Sequence, residues 1–139
     1  MATDTSQITL RIVTPEEVVL EMEARSVRVP GEDGSFGVLP RHATMVALTD
    51  TGVLHVTGTD GKESVYLIHD GFCEVRDDVV TVLSRSAELP DKIDLERAER
   101  AAERARVRLR EREGDLDMVR ASAALRRALL REKLARLSR

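Results

Sequence analysis

Residues 64–84, with the sequence SVYLIHDGFCEVRDDVVTVLS, decide how the first part of this chain folds. Short runs rich in valine, leucine and isoleucine occupy 64–68, 72–76 and 79–84, which is the length and composition of β-strands. Asp70-Gly71 and Asp77-Asp78 separate the runs with residues that tolerate the backbone angles of tight turns. The stretch therefore predicts three consecutive short strands.

The same pattern extends toward the N-terminus. Ile8, Leu10 and Ile12 are spaced two residues apart, as are Val27 and Val29, which is typical of strands with one buried face. Turn residues cluster at 30–34, 50–52 and 58–61, and turn signals recur roughly every eight to twelve residues. The fold class predicted for residues 1–88 is a mostly β sandwich or flattened barrel.

Residues 89–139 carry the signals of two helices. Pro90 prevents a helix from continuing from upstream, Asp94 is a good N-cap, and Glu96 lies in the favourable first turn. Gly114 ends the first helix, and Asp115 can cap the second. The predicted buried faces consist of Ala98, Ala102, Ala105 and Leu109 on the first helix, and of Leu116, Val119, Ala123, Leu130, Leu134 and Leu137 on the second, with Met118, Leu125 and Leu129 beside them. This pattern predicts an antiparallel α-helical hairpin.

The charge distribution separates the same two parts. Residues 1–93 contain 16 acidic and 8 basic side chains, a net charge of −8, whereas residues 94–139 contain 9 acidic and 14 basic ones, a net charge of +5. We therefore predict two domains, a sandwich at 1–88 and a two-helix tail at 89–139.

No catalytic or metal-binding pattern accompanies this architecture. The single cysteine, Cys73, cannot form an internal disulfide and is expected to be a small buried residue, and the three histidines lack zinc-ligand spacing. A hydrolytic set can be imagined among His69, Asp70, Ser84 and Ser86. Neither a Gly-x-Ser-x-Gly elbow nor a phosphate-binding Gly-x-x-x-x-Gly-Lys loop is present to support it, so no catalytic residue, catalytic cofactor or metal is predicted.

Several motifs follow one another in an order found in one protein family. They are GSFGVLPRHA at 34–43, TGVLHV at 51–56, GFCEV at 71–75, TVL at 81–83, AE at 87–88 and IDLERA at 93–98. In this order and spacing the chain resembles the epsilon subunit of bacterial F-type ATP synthases over essentially its whole length. Thr44 departs from the family pattern, which often has proline after His-Ala.

The resemblance implies a non-catalytic rotor subunit. In this family the sandwich binds the gamma subunit of the central stalk and rests on the membrane c-ring, while the catalytic sites lie on the beta subunits. The implied location is peripheral, at the cytoplasmic face of the bacterial inner membrane, with membrane association only through the complex. Ser35, Phe36 and His42 match the family's c-ring contact, although a glycine-rich turn also serves simply to close a strand connection.

The resemblance also assigns roles to the tail. The family's tail is either compact or extended along gamma toward the alpha and beta subunits, where it resists ATP hydrolysis, and the implied beta-subunit contacts are Arg126, Arg127, Arg131 and Lys133. In family members whose tails bind a regulatory ATP, the matching positions are Glu88, Asp94, Arg97, Arg104, Arg127 and Arg131. Solvated arginines on a helix surface, with Asp94 as a simple cap, are the alternative interpretation.

A small nucleic-acid-binding or adaptor protein is the second function class that the tail allows. A dense basic run consists of Arg104, Arg106, Arg108, Arg110 and Arg112, and phosphate contacts dominate non-specific nucleic-acid binding. Alternate residues on a helix point about 200° apart, so these arginines surround the helix, and Glu111 and Glu113 interrupt them. Nucleic acid is therefore not the expected partner.

Overall fold

The computed structural model of the chain describes residues 6–111 and 114–137. It divides the chain into two compact units, Met1–Glu88 and Leu89–Arg139. The described part of the first unit is built from strands, and the second from helices, which confirms the predicted fold class. Within the described residues, no helix combines the length and the apolar character needed to cross a membrane.

A nine-stranded sheet makes up the first unit. Its strands are β1 (Ile8–Val13), β2 (Val18–Val29), β3 (Phe36–Val38), β4 (Met45–Thr49), β5 (Gly52–Gly58), β6 (Glu63–Ile68), β7 (Gly71–Arg76), β8 (Val79–Ser84) and β9 (Ala87–Glu88). They lie in the order β4-β7-β8-β1-β2-β5-β6-β9, and β3 pairs with β2. Strands β1 and β8 are parallel, whereas the other pairs are antiparallel. The three strands predicted from residues 64–84 are β6, β7 and β8.

The long strand β2 belongs to both halves of the sheet. Its first part pairs with β1, and its second part pairs with β5 and β3. Its register with β5 shifts between Ala24 and Ser26, and a bulge of this kind bends a strand. The segment after β2 then bonds to β4, since the Glu32 N–H donates to the Leu48 carbonyl at 3.0 Å. The sheet therefore curls and encloses one of its faces.

The enclosed face carries the apolar core. Ile8, Leu10 and Ile12 are at most 1% exposed, as the alternation in β1 predicts. The other apolar side chains of the unit that are at most 1% exposed are Ala24, Val27, Val29, Val38, Leu54, Val56, Leu67, Ile68, Cys73, Val75, Val80 and Val82. Every second residue of most strands thus points into the core, and the residues between them form an outer face.

The second unit begins with a 3₁₀ turn at Pro90–Lys92, followed by α1 (Leu95–Glu111) and α2 (Asp115–Leu137). Asp94 caps α1 as predicted, because its Oδ1 accepts the Arg97 N–H at 3.1 Å. The Gly114 carbonyl accepts the Met118 N–H at 3.0 Å, so Gly114 holds the N-cap position of α2. The prediction that Asp115 caps α2 is wrong by one residue. Residues 112–113, between the last described residue of α1 and Gly114, are outside the described part, so the prediction that Gly114 ends α1 stays a prediction.

Small side chains line the contact between the two helices. Six alanines, each at most 3% exposed, form what we call the alanine seam: Ala98, Ala102 and Ala105 on α1, and Ala121, Ala128 and Ala135 on α2. The helices are antiparallel, since Arg136 Nη2, near the end of α2, donates to Glu99 Oε1, near the start of α1, at 2.9 Å. Small side chains let two helix backbones approach closely while burying little apolar area.

The seam corrects the predicted buried face of α2. Val119 and Leu137 are 67% and 66% exposed, and Ala123 is also exposed. Leu134 is buried, Leu130 is half-buried, and the Leu116 side chain lies outside the described part. The prediction followed the larger apolar residues of α2, whereas the alanine positions of α1 are matched by alanines spaced seven apart on α2.

Candidate functional site

The outer face of the first unit carries a row of apolar side chains across five strands. Strand register places Leu48 beside Phe72, Phe72 beside Leu83, and Leu83 beside Val13. Val18 continues the row beside Val13. Leu48, Phe72 and Leu83 are 51%, 50% and 45% exposed. Contiguous exposed apolar surface of this kind marks sites where other proteins bind. We call these five residues the apolar row.

An open groove of about 330 Å³ lies along the apolar row. Val13, Pro15 and Phe72 contribute to its lining, and Arg85 and Asp70 form an ion pair of 2.7 Å at its edge. Sequence reasoning missed this surface because it followed the buried positions of each strand. The available signal was a large apolar residue, such as Phe72, at an outward position of an alternating strand.

The three predicted c-ring contact residues flank or begin the short strand β3. Ser35 is exposed in the turn before it. Phe36 is half-buried, and a Cβ added to Gly31 would lie 3.1 Å from its ring, so Phe36 packs inside the turn. His42 follows β3 and is half-buried, with Nδ1 2.7 Å from the Ala43 carbonyl oxygen. Ser35 is therefore the most accessible of the three, and Phe36 also closes the turn.

Charged side chains of α1 lie on both sides of the alanine seam. Glu103 pairs with Arg110 at 3.1 Å and with Arg106 at 3.8 Å. Glu99, on the same side, pairs with Arg136 of α2. With 3.6 residues per turn, Arg97 and Arg104 project from the opposite side of α1. On the first side, Glu99 and Glu103 are thus paired with arginines, whereas on the opposite side no ion pair of Arg97 or Arg104 is found within residues 6–111 and 114–137.

The predicted nucleotide-binding arginines share this second side. On α2, Arg127 and Arg131 project across the seam from Arg136, and therefore on the side of Arg97 and Arg104. No ion pair connects Arg97, Arg104 or Arg127 to another residue within the described ranges. We call Arg97, Arg104, Arg127 and Arg131 the basic flank.

The helix register brings part of the basic flank together along the hairpin axis. Arg104 lies five residues after Glu99 and Arg131 five residues before Arg136, so the pairing of Glu99 with Arg136 puts Arg104 and Arg131 at one level. Arg97 lies about two turns away. A separate polar groove of about 360 Å³, lined by residues that include Arg108 and Arg120, lies near the Gly114 turn and is not lined by the basic flank.

The two predicted carboxylate ligands already have partners. Asp94 caps α1, and Glu88 Oε2 lies 3.1 Å from Nε2 of the buried His69. His69 was not a predicted site residue, and the contact spans 19 residues of sequence. The four predicted beta-subunit contacts lie on two sides of α2. Arg126 and Lys133 are exposed on the side of Arg136, whereas Arg127 and Arg131 belong to the basic flank.

The remaining polar and thiol groups have structural surroundings. The Ser84 hydroxyl accepts the His69 N–H at 2.9 Å and lies 2.6 Å from the Ser86 carbonyl oxygen, to which it donates. Burial, and secondarily the charge of Glu74, raises the pKa of the Cys73 thiol to about 12. Among residues 6–111 and 114–137, no group of three or more His, Cys, Asp or Glu side chains could hold a metal ion.

Two family models cover nearly the whole chain. The model described as "ATP synthase, Delta/Epsilon chain, beta-sandwich domain" matches residues 7–90, and the one described as "ATP synthase, Delta/Epsilon chain, long alpha-helix domain" matches residues 91–136. The ATP synthase epsilon chain of Moorella thermoacetica is 45% identical over 130 residues, which are 94% of this chain and 97% of that protein. The chain belongs to the ATP synthase epsilon chain family. This confirms the resemblance found in the sequence.

Other members of the epsilon chain family and one solved structure agree with this assignment. The epsilon chain of Symbiobacterium thermophilum is 44% identical over 131 residues, 94% of each chain. A chain in the structure of the Euglena gracilis mitochondrial ATP synthase (OSCP, F1 and c-ring) has a TM-score of 0.81 at 26% identity, covering 98% of this chain and 84% of that one. An epsilon chain is a subunit of a membrane-associated complex. The nucleic-acid-binding or adaptor alternative finds no support in these matches.

Proposed function

We propose that this epsilon chain is a non-catalytic part of the central stalk, in which the sandwich binds the gamma subunit and the c-ring. The apolar row is the observation that supports this proposal. Four of its five side chains are about half exposed, and leaving apolar surface in water is unfavourable unless a partner covers it. Gamma is the occupant that we assign to the row, and Ser35, Phe36 and His42 are the proposed c-ring contacts. The chain would then lie peripherally at the cytoplasmic face of the membrane, held there by the complex.

Co-purification with gamma tests the proposed docking surface. Leu83→Glu puts a charge in the centre of the apolar row and is expected to weaken binding to gamma. Thr81→Glu is the matched control, because it adds the same charge on the same face of β8, two residues away. A fragment of residues 1–88 should fold and retain gamma binding, since it is a compact unit. Equal binding by the two glutamate variants would show that the row is not the docking surface.

The second unit is proposed to bind a regulatory ATP through the basic flank. Planar guanidinium groups suit phosphate oxygens, and three of these arginines have no competing ion pair within the described residues. Asp94 and Glu88 are proposed to accept hydrogen bonds from the base or ribose. No metal is required by this arrangement.

ATP binding would favour the compact hairpin, since the basic flank draws on both helices. ATP at ten times its dissociation constant stabilises the form that binds it by about 1.4 kcal/mol, a roughly tenfold shift of a balanced equilibrium. In the extended form, Arg126, Arg127, Arg131 and Lys133 are proposed to contact the beta subunits and resist ATP hydrolysis. Arg127 and Arg131 serve both states, so nucleotide and beta subunits compete for them.

Isothermal titration of the full chain with ATP tests the nucleotide site. Arg97→Ala and Arg127→Ala are each expected to weaken ATP binding at least tenfold, because a hydrogen bond to a charged group contributes about 1.5–3 kcal/mol. Arg110→Ala is the control, because Arg110 is on the other side of α1 and pairs with Glu103. Absence of binding at millimolar ATP, or equal affinity in the three variants, contradicts the proposal.

The proposed inhibition has its own test in the assembled complex. Deleting residues 94–139 should raise ATP hydrolysis and leave assembly intact, because the sandwich is a separate compact unit. Steady-state hydrolysis of reconstituted complexes at low and high ATP measures the effect. Unchanged hydrolysis at both concentrations removes the inhibitory role and leaves gamma binding untouched.

A further inference from the structure

The loop between β3 and β4 contains a residue in an unusual backbone conformation. Arg41 has a φ of 64°, in the left-handed region. This region is disfavoured roughly 5- to 30-fold for an L-residue, and arginine has no short polar side chain that would bond its own backbone there. The conformation of Arg41 therefore needs an external restraint.

Asp78 provides that restraint. Its Oδ1 accepts the Arg41 N–H at 2.6 Å, across 37 residues of sequence. Asp78 is itself firmly placed, because it lies in the two-residue turn between β7 and β8 and its carbonyl accepts the Thr9 N–H at 2.8 Å. A hydrogen bond to a charged group shifts an equilibrium roughly 10- to 100-fold, which offsets the left-handed penalty.

We infer that Asp78 is a positioning residue, which holds Arg41 in the left-handed conformation and thereby aims His42 at the partner that binds this loop. The inference rests on the proposed contact of His42 with the c-ring. Arg41 directly precedes His42, so a change in φ at Arg41 would swing His42 away from its present position. The carboxylate of Asp78 acts on the loop from the β7–β8 turn and does not itself contact the c-ring in this proposal.

The β7–β8 turn offers a matched pair of variants. Asp77 and Asp78 have φ of 50° and 61°, and glycine adopts such angles without cost. Asp78→Gly therefore keeps the turn and removes the carboxylate that holds Arg41. Asp77→Gly makes the same change one residue earlier and leaves the Asp78–Arg41 hydrogen bond intact. Asp78→Asn keeps a neutral acceptor in place and should fall between wild type and Asp78→Gly.

Two measurements on the full chain decide the inference. Amide hydrogen exchange of Arg41 should be roughly tenfold faster or more in Asp78→Gly than in wild type and unchanged in Asp77→Gly. Cosedimentation with a purified gamma–c-ring complex should be reduced in Asp78→Gly and partly restored in Asp78→Asn.

Each outcome has a defined meaning. Equal Arg41 exchange in the two glycine variants overturns the restraint. Faster exchange with undiminished cosedimentation, in conditions where His42→Ala reduces cosedimentation, overturns the positioning role. If His42→Ala also leaves cosedimentation unchanged, the proposed contact of His42 with the c-ring is wrong, and so is the inference that Asp78 positions His42 for that contact. The exchange data decide separately whether Asp78 restrains the loop.

Discussion

Replacing Ala128 with leucine should open the helical hairpin. Ala128 is 1% exposed and lies in the alanine seam, so the three added carbon atoms find no free space. Overpacking of this kind costs about 1–3 kcal/mol. The six seam alanines each bury one methyl group, and at about 0.8 kcal/mol per group they contribute roughly 5 kcal/mol. A single substitution thus offsets a large share of what the seam contributes.

The matched control is Ala123→Leu, which adds the same atoms to an exposed position of the same helix. Amide hydrogen exchange of α1 and α2 in the full chain reports opening, and a loss of about 2 kcal/mol speeds exchange roughly 30-fold. Exchange should accelerate in Ala128→Leu and stay near wild type in Ala123→Leu. Equal rates in the two variants would refute the idea that the alanine seam holds the hairpin closed.

Three further predictions concern single positions. Gly71→Ala should destabilise the sandwich by about 3 kcal/mol in urea unfolding, because its Cβ would lie 1.9 Å from the Leu83 carbonyl oxygen, whereas Gly37→Ala meets nothing within 4 Å and should be tolerated. The pKa of Cys73 in the folded chain, about 12, exceeds its ordinary value of 9.0. The stability that this group contributes below pH 9 should therefore be lost as the pH rises toward 12. The free energy of unfolding, measured across that pH range, should fall less in Cys73→Ala than in wild type. Asp94→Ala should lower the helicity measured by circular dichroism and cost about 1 kcal/mol, and Asp94→Asn should not, because asparagine caps equally well.

Local patterns predicted most of the secondary structure, since each signal lies within a few residues of the feature it causes. Pro90 and Asp94 both lie just before the start of α1, and Asp94 caps the helix. The alternation of Ile8, Leu10 and Ile12 in the sequence matches their burial. The face of α2 was predicted wrongly at Val119, Ala123 and Leu137, because side-chain size was weighed over helix spacing. Ala128 is buried and Val119 is 67% exposed. The position of α1 determines which face of α2 is buried.

The surfaces and restraints of the sandwich depend on strand register, which the sequence did not reveal. Phe72 and Leu83 become neighbours only when β7 and β8 pair, and Arg41 meets Asp78 only when a distant turn reaches the β3–β4 loop. Nothing in the residue type of Arg41 indicates a positive φ, because arginine rarely has one. The predicted ligand and partner residues stay predictions until binding is measured.

The parallel pairing of β1 with β8 has a consequence for synthesis of the chain. Thr9 pairs with Val79, so β1 cannot complete its pairing until a strand about seventy residues later in the sequence has been made. Loop closure over such a distance is slow, and strands made early have an unpaired edge until it occurs. During translation, β1 is therefore expected to pair first with β2, its partner nearest in sequence, and to gain β8 only after nearly all of the sandwich has left the ribosome. A ribosome that stalls before Val79 is translated should therefore hold a partly paired, aggregation-prone nascent chain, whereas a stall near the end of the helical tail, with β8 outside the ribosome, should hold a finished sandwich.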